Sequence, residues 1–233
     1  MRILVVGSGG REHALAWALG KEADVICAPG NPGIAEDVEV VAVPVTNFSG
    51  LTSLALDRSI DLIVIGPEDP LVAGLADHLR SHGLLVFGPN SNAARLEGSK
   101  AFSKELMVEA GIPTARHAAF SSPEPAKAFA AALFASAGGA VVKASGVALG
   151  KGAIVCDSFT DAETAIDDML VRRLLGDAGA EIVVEQRLHG PEFSLLTFVS
   201  GQHYRSLPVA QDYKRAHDGN VGPNTGGMGV TLR

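Results

Sequence analysis

No run of about 18 or more apolar residues occurs anywhere in the 233 residues, so nothing predicts a membrane-spanning helix. LIVIG and AVVKA are soon interrupted. The opening MRILVVGSGGREH puts a single Arg ahead of a short apolar stretch that ends in glycines, which fits a buried strand better than a secretory leader. A cytoplasmic location is the expectation. Cysteine is scarce: Cys27 and Cys156 both follow apolar, β-like runs and form no C-x-x-C or Cys/His cluster, so they read as buried thiols in a reducing compartment. Basic residues are outnumbered, 19 Lys and Arg against 26 Asp and Glu, and the net charge of −7 argues against a general nucleic-acid binder. Small phosphates are not excluded, since they need only a local cluster of N–H groups and cations. G-x-S-x-G and H-E-x-x-H are missing, as are internal repeats and low-complexity tracts.

What is present is 47 % hydrophobic content, enough to fill a core, arranged in short apolar runs alternating with helical patterns. ILVV (3–6), DVIC (24–27), VEVVAVPV (38–45), DLIVIG (61–66) and LLVFG (84–88) read as strands, with amphipathic helices between several of them. This order predicts an α/β domain with a parallel sheet and helices on both faces, with ligands at the carboxyl ends of its strands. After residue 90 the texture changes. SKAFSKELMVEAGIPT and SSPEPAKAFAAALFASAGG read as helices, followed by AVVKA, AIVC, EIVVE, EFSLLTFVSG and HYRSLPVA between glycine turns, with one helix near 160–175. The second half is therefore expected to be α+β with antiparallel pairing, and the boundary to fall between residues 90 and 100.

Two glycine-rich stretches invite ligands. VVGSGGREH joins the first strand to the first helix, where N–H groups and the helix dipole favour an anion. A dinucleotide fingerprint fails there, because its third glycine falls on Glu12 and no acid ends the second strand; a tight turn without ligand stays open. VVKASGVALGKG (141–152) is no P-loop, since Gly152 follows Lys151 where Ser or Thr is required. Lys143 inside an apolar strand would be costly to bury unless an anion meets it, and the turn beyond it suits a lid over phosphates. A mobile hairpin with an exposed lysine is the alternative. His78 and His82 share a helix face without a third ligand and read as solvated surface residues.

Long stretches in one order, among them GSGGREHAL, APGNPG, GPEDPLVAGL, LEGSKAFSK, VVKASGVALGKG, HGPEFS and QDYKRAHDGNVGPNTGGMG, give the chain a resemblance. It resembles the amino-terminal part of the phosphoribosylamine–glycine ligase (glycinamide ribonucleotide synthetase) family of ATP-grasp enzymes. That resemblance implies a Rossmann-like, pre-ATP-grasp domain over 1–99 and a partial ATP-grasp domain over 100–233, with a lid at about 115–188. It implies ATP-dependent joining of glycine to 5-phosphoribosylamine through glycyl phosphate, in purine biosynthesis, with Mg²⁺ (or Mn²⁺).

The site residues follow from the same resemblance. Lys100 and Lys143 correspond to phosphate-contacting lysines, a task suited to a compact point charge. Ser145, Gly146, Gly150, Lys151 and Gly152 fall on the phosphate lid. Glu185 and the backbone at Leu188 correspond to the adenine-contacting hinge, and Glu192 to the acid that holds the ribose hydroxyls. Taken alone, Glu185 and Glu192 could also be a salt-bridged structural pair. Gly9, Gly10, Arg11, Glu12, Pro67 and Glu68 correspond to loops for the ribose-phosphate substrate. Asp212, Lys214, Arg215, Asn224, Thr225 and Gly226 form the acceptor loop, whose charges and N–H groups can orient substrates and an oxyanion.

Departures from the family pattern are also visible. Ser145 stands where the lid usually carries Asp, and Gln186 and Arg187 replace Glu and Phe in the hinge, removing an aromatic surface. The family's metal-coordinating stretch, E-F-N-x-R-F-G-D-P-E, has no counterpart, so no metal ligand is assigned. The expectation is a truncated or split form, inactive or nearly so alone, with a complementing C-terminal chain, an exposed apolar face and a tendency to self-associate. A non-catalytic nucleotide or ribose-phosphate binding module is the alternative function. No nucleic-acid or membrane partner is expected.

Overall fold

The computed structural model describes residues 1–148, 152–219, 221–225 and 227–232. They form two compact units, residues 1–114 with 145–147, and 115–144 with 148–233.

The first unit is a parallel sheet of β1 (Arg2–Gly7), β2 (Asp24–Pro29), β3 (Glu39–Val40), β4 (Leu62–Ile65) and β5 (Val86–Phe87), in the spatial order β3-β2-β1-β4-β5. Its helices are α1 (Gly10–Leu19), α2 (Phe48–Asp57), α3 (Glu68–Val72), α4 (Leu75–Ser81), α5 (Ser91–Gly98) and α6 (Lys100–Glu109). Side-chain alternation explains the layering. Leu4 and Val6 join a core with Leu51, Leu75 and Leu79, while Ile3 and Val5 join a separate one with Ala16 and Ile34. Both faces of β1 are thus covered, as its unbroken apolar run requires. Asn47, Asn90 and Ser99 cap α2, α5 and α6 by accepting the N–H groups of Gly50, Ala93 and Phe102.

Strand order reverses at β1, whose neighbours β2 and β4 lie on opposite sides, so the crevice beyond Gly7 and Gly66 is the place where such sheets bind ligands. The strand expected over 38–45 is shorter. Val41 N–H still donates to Cys27, but Val43 N–H turns back to Val41 and Pro44 has no N–H to offer, so pairing ends. His78 also departs from a solvated reading. It is half-buried, with Nε2 3.1 Å from Thr52 Oγ1 and its ring between Phe48 and His82.

The second unit is built on a four-stranded antiparallel sheet, β6 (His117–Phe120), β7 (Ala140–Ala144), β8 (Ala153–Cys156) and β9 (Ile182–Gln186), ordered β6-β9-β7-β8. α7 (Pro123–Ala137) and α8 (Phe159–Ile166) pack Ala130, Leu133, Ala165 and Ile166 against Val142, Ile182 and Val184. Val141, Lys143 and Glu185 alternate with these residues and so point to the opposite face. Beyond β9 come β10 (Thr197–Ser200) with β11 (His203–Ser206), β12 (Ala210–Asp212) with β15 (Val230–Leu232), and β13 (Arg215–His217) with β14 (Val221–Asn224). Leu195, Leu196, Val199 and Tyr204 in this region are exposed. The mixed architecture, parallel then antiparallel, is the one read from the sequence.

Both cysteines are free and fully buried, and burial pushes each thiol up to about 11. Since only the thiolate reacts, thiol labelling at pH 8 is expected to be slow in the native chain and to reach two equivalents only in urea. Rapid native labelling would contradict this packing. Among the described residues, no helix is long and apolar enough to cross a membrane.

Candidate functional site

In the first unit, the loops after β1 and β4 converge on Glu12. Its side chain is buried and folds back from α1 so that Oε2 accepts the Gly9 N–H at 2.7 Å. Gly7 and Gly66 flank it closely, and a Cβ on either would collide with the Glu12 side chain. The missing fingerprint glycine therefore has a physical meaning: a carboxylate already occupies the space at the start of α1 where a dinucleotide phosphate would approach. Arg11 donates to Gly66 O at 2.7 Å and lies 3.5 Å from Glu68, while Pro67 opens α3. Gly9, Gly10, Arg11, Glu12, Pro67 and Glu68 are thus gathered at the carboxyl ends of two adjacent strands.

Still within this unit, Ser145 seats the chain on the start of α6. Lys100 N–H donates to Ser145 O at 2.8 Å, Ala101 N–H to Ser145 Oγ at 3.1 Å, and Lys100 Nζ reaches Gly146 O at 3.5 Å. Ser145 is itself buried, with Oγ 3.3 Å from Ser99 Oγ. The Ser145 hydroxyl thus satisfies a further N–H at the start of α6, beside the Ser99 cap. Ser145→Ala is expected to cost about 1 kcal/mol of stability, the usual value of a lost cap. A urea midpoint equal to the parent's would show that the hydroxyl is dispensable.

In the second unit, the strand register places Lys143 diagonally across from Glu185, and the two form an ion pair. Glu185 is buried and Lys143 partly so. The anion that Lys143 requires in its apolar strand is thus Glu185, supplied by the neighbouring strand. Gly152 O accepts the Ala144 N–H at 2.7 Å, and a Cβ on Gly152 would lie 2.7 Å from that of Ala148. Gly150, Lys151 and Gly226 lie outside the described residues.

Where β9 ends, the chain enters a cavity of about 410 Å³. Leu188, Glu192, Asp212, Lys214 and Arg215 all line it. Lys214 Nζ lies 3.6 Å from Asp212, and Arg215 donates to Gly222 O at 2.6 Å. The glycine-rich loop is tied to this wall by its backbone. Thr225 N–H donates to Lys214 O at 2.7 Å, Met228 N–H to Tyr213 O at 2.7 Å, and Asn224 pairs with Arg215 across β13 and β14. The sequence reading did not include Val155, His189 or Pro191, and it named Arg187 only as a departure in the hinge and Gln211 and Tyr213 only within QDYKR; all of these also line the cavity.

Residues 1–97 match the phosphoribosylglycinamide synthetase N domain, and residues 98–232 match the ATP-grasp (A) domain of the same synthetase. The chain belongs to the phosphoribosylglycinamide synthetase family. A phosphoribosylamine–glycine ligase of Xanthomonas campestris pv. campestris is 47 % identical over 99 % of this chain and 54 % of its own length. The crystal structure of the phosphoribosylamine–glycine ligase of Thermotoga maritima superposes with a TM-score of 0.81 and 34 % identity, covering 99 % of this chain and 55 % of that one. The biotin carboxylase domain of a Hydrogenobacter thermophilus 2-oxoglutarate carboxylase, solved with MgADP, shares the fold alone at 19 % identity. Its TM-score is 0.69, over 92 % of this chain and 50 % of that one. The chain thus spans about half the length of the family relatives it matches.

Proposed function

We propose that this chain provides the substrate domain (1–99) and the first part of the ATP-grasp domain (100–233, lid about 115–188) of a phosphoribosylamine–glycine ligase. Glycine carboxylate takes the γ-phosphoryl group of ATP, giving glycyl phosphate and ADP; the amine of 5-phosphoribosylamine then attacks the acyl carbon and phosphate leaves. The observation that carries this reading is the cavity lined by Leu188, Glu192, Asp212, Lys214 and Arg215 together.

In this reading the backbone at Leu188 and the Glu185 carboxylate meet adenine, and Glu192 accepts from the ribose hydroxyls. Lys100 and Lys143 neutralise phosphate charge, and Ser145, Gly146, Gly150, Lys151 and Gly152 contact the phosphates. Asp212, Lys214 and Arg215 orient the reacting amine and carboxylate, and the N–H groups around Asn224, Thr225 and Gly226 stabilise the acyl oxyanion. Gly9, Gly10, Arg11, Glu12, Pro67 and Glu68 hold the ribose-phosphate substrate. No protein nucleophile is required, because the work is positioning and charge neutralisation.

The family resemblance brings Mg²⁺ (or Mn²⁺), which would supply neutralisation of phosphate charge when bound. Among the described residues no group of three or more His, Cys, Asp and Glu side chains converges, whereas such cations take about six oxygen ligands. Mg²⁺ is commonly held by one or two carboxylates together with waters and the substrate's own phosphates, so it does not require such a convergence.

The test is phosphate release from ATP with glycine and 5-phosphoribosylamine, measured with and without the C-terminal half of a relative supplied as a second polypeptide. Turnover only on complementation is expected. Nucleotide binding without turnover in both conditions would make the chain a binding module instead, and robust turnover alone would remove the need for a partner.

A further inference from the structure

Arg187 is built into the cavity wall at three points. Its N–H donates to Gly139 O at 3.2 Å, and its side-chain stem crosses Gly139 so closely that a Cβ there would lie 3.2 Å from Arg187 Cδ. Its guanidinium forms an ion pair with Asp157, in the turn after β8. The Arg187 side chain is only 27 % exposed, whereas that of Asp157 is 80 % exposed, so the pair sits at the rim with the arginine on the inner side. Arg187 lines the same cavity as Leu188 and Glu192.

A carboxylate meets a guanidinium in its plane, through N–H donors, and leaves its two faces open. Those faces stack on planar π-systems, which the ammonium of lysine cannot do. Because Asp157 and Gly139 already hold the side chain, little rotamer freedom remains to be lost when a ring settles on it. Charge alone does not account for this construction: Lys214 and Arg215 already bring cations to the cavity, and Arg187 has its counterion in Asp157.

We propose that Arg187 is a specificity-determining residue that stacks its guanidinium on the heterocyclic base of a bound nucleotide, occupying the place of an aromatic hinge residue. The inference rests on the nucleotide reading of this cavity. It assigns the arginine a recognition role for the base, distinct from the phosphate contacts of the lysines.

The test compares ADP and inorganic tripolyphosphate binding by calorimetry, with the full 233-residue chain and the variants Arg187→Ala, Arg187→Lys, Arg187→Phe and Asp157→Ala, each checked for native circular dichroism. Arg187→Ala is expected to weaken ADP by about tenfold, the size of one lost base stack. Arg187→Lys should behave like the alanine variant, and Arg187→Phe should stay within about threefold of the parent, because a ring restores the stacking surface. Asp157→Ala should cost about threefold through lost preorganisation. Tripolyphosphate, which has no base, should bind all of them alike. Equal ADP affinity in parent and Arg187→Ala overturns the inference, as does rescue by lysine and not by phenylalanine. A parent chain that does not bind ADP overturns both this inference and the nucleotide reading beneath it.

Discussion

Lys143→Met is expected to lower the unfolding free energy by about 3 kcal/mol, because it removes the cation that compensates a buried carboxylate. Glu185 is buried on β9, and the register of β7 against β9 brings Lys143 to it on the sheet face opposite α7 and α8. The ion pair itself need not be a net source of stability, since desolvating two charges offsets much of their attraction. Removing both charges should therefore restore what removing one has lost. Lys143→Met/Glu185→Leu is expected to recover to within about 1 kcal/mol of the parent, giving a coupling well outside the additivity of distant sites. Urea unfolding followed by circular dichroism provides the four corners of the cycle. The double variant separates structure from function: it should regain stability while nucleotide affinity stays lost, because Lys143 also serves the phosphates in the proposed site. A single variant with an unchanged midpoint would show that Glu185 is compensated without Lys143.

Gly66→Ala carries the second large expectation, a loss of about 3 kcal/mol from overpacking together with a broken charge-assisted hydrogen bond. A methyl group at this position would lie 2.5 Å from Glu12 Cγ and overlap the carboxyl group, so the side chain must leave its buried seat and release the Gly9 N–H. The backbone of Gly66 is not in the left-handed region, so the cost falls on this contact. Shortening the obstructing side chain should relieve it. Gly66→Ala/Glu12→Ala is expected to be more stable than the sum of its single variants by about 1.5 kcal/mol or more, read from urea midpoints. Strict additivity would mean that Glu12 swings aside at little cost and that the crevice is looser than its packing indicates.

These two sites also show what could be read from residues alone and what needed three dimensions. Apolar runs and helical spacing were enough to place β1, β2, β4, α7, β7 and β9, because each run is long enough to be buried and is bounded by glycine or a cap. The strand over 38–45 was overextended, since the runs VEVV and VAVPV look alike until Pro44 withholds its N–H from the ladder. Glu12 was visible as a missing glycine, but the reason that Gly7 and Gly66 must be glycines is a contact between residues distant in sequence. Lys143 was recognised as a charge in need of an anion, and register alone identifies Glu185 as its partner. Arg187 was visible only as the loss of an aromatic ring. Its attachment to Gly139 and Asp157, segments far from it in the chain, turns that loss into a constructed feature.

The central claim is that the cavity lined by residues 187–192 and 211–215 in the second unit is the nucleotide site. Amide chemical shifts of the isotopically labelled chain, titrated with ADP, test it most directly. The account predicts saturable perturbations concentrated in residues 185–192 and 211–215, with the glycine turns at 7–12 and 66–68 unaffected by ADP and responding to a ribose-phosphate ligand instead. Perturbations by ADP centred on 7–12 and 66–68, with 185–192 and 211–215 unmoved, would contradict it and place the nucleotide in the parallel-sheet crevice.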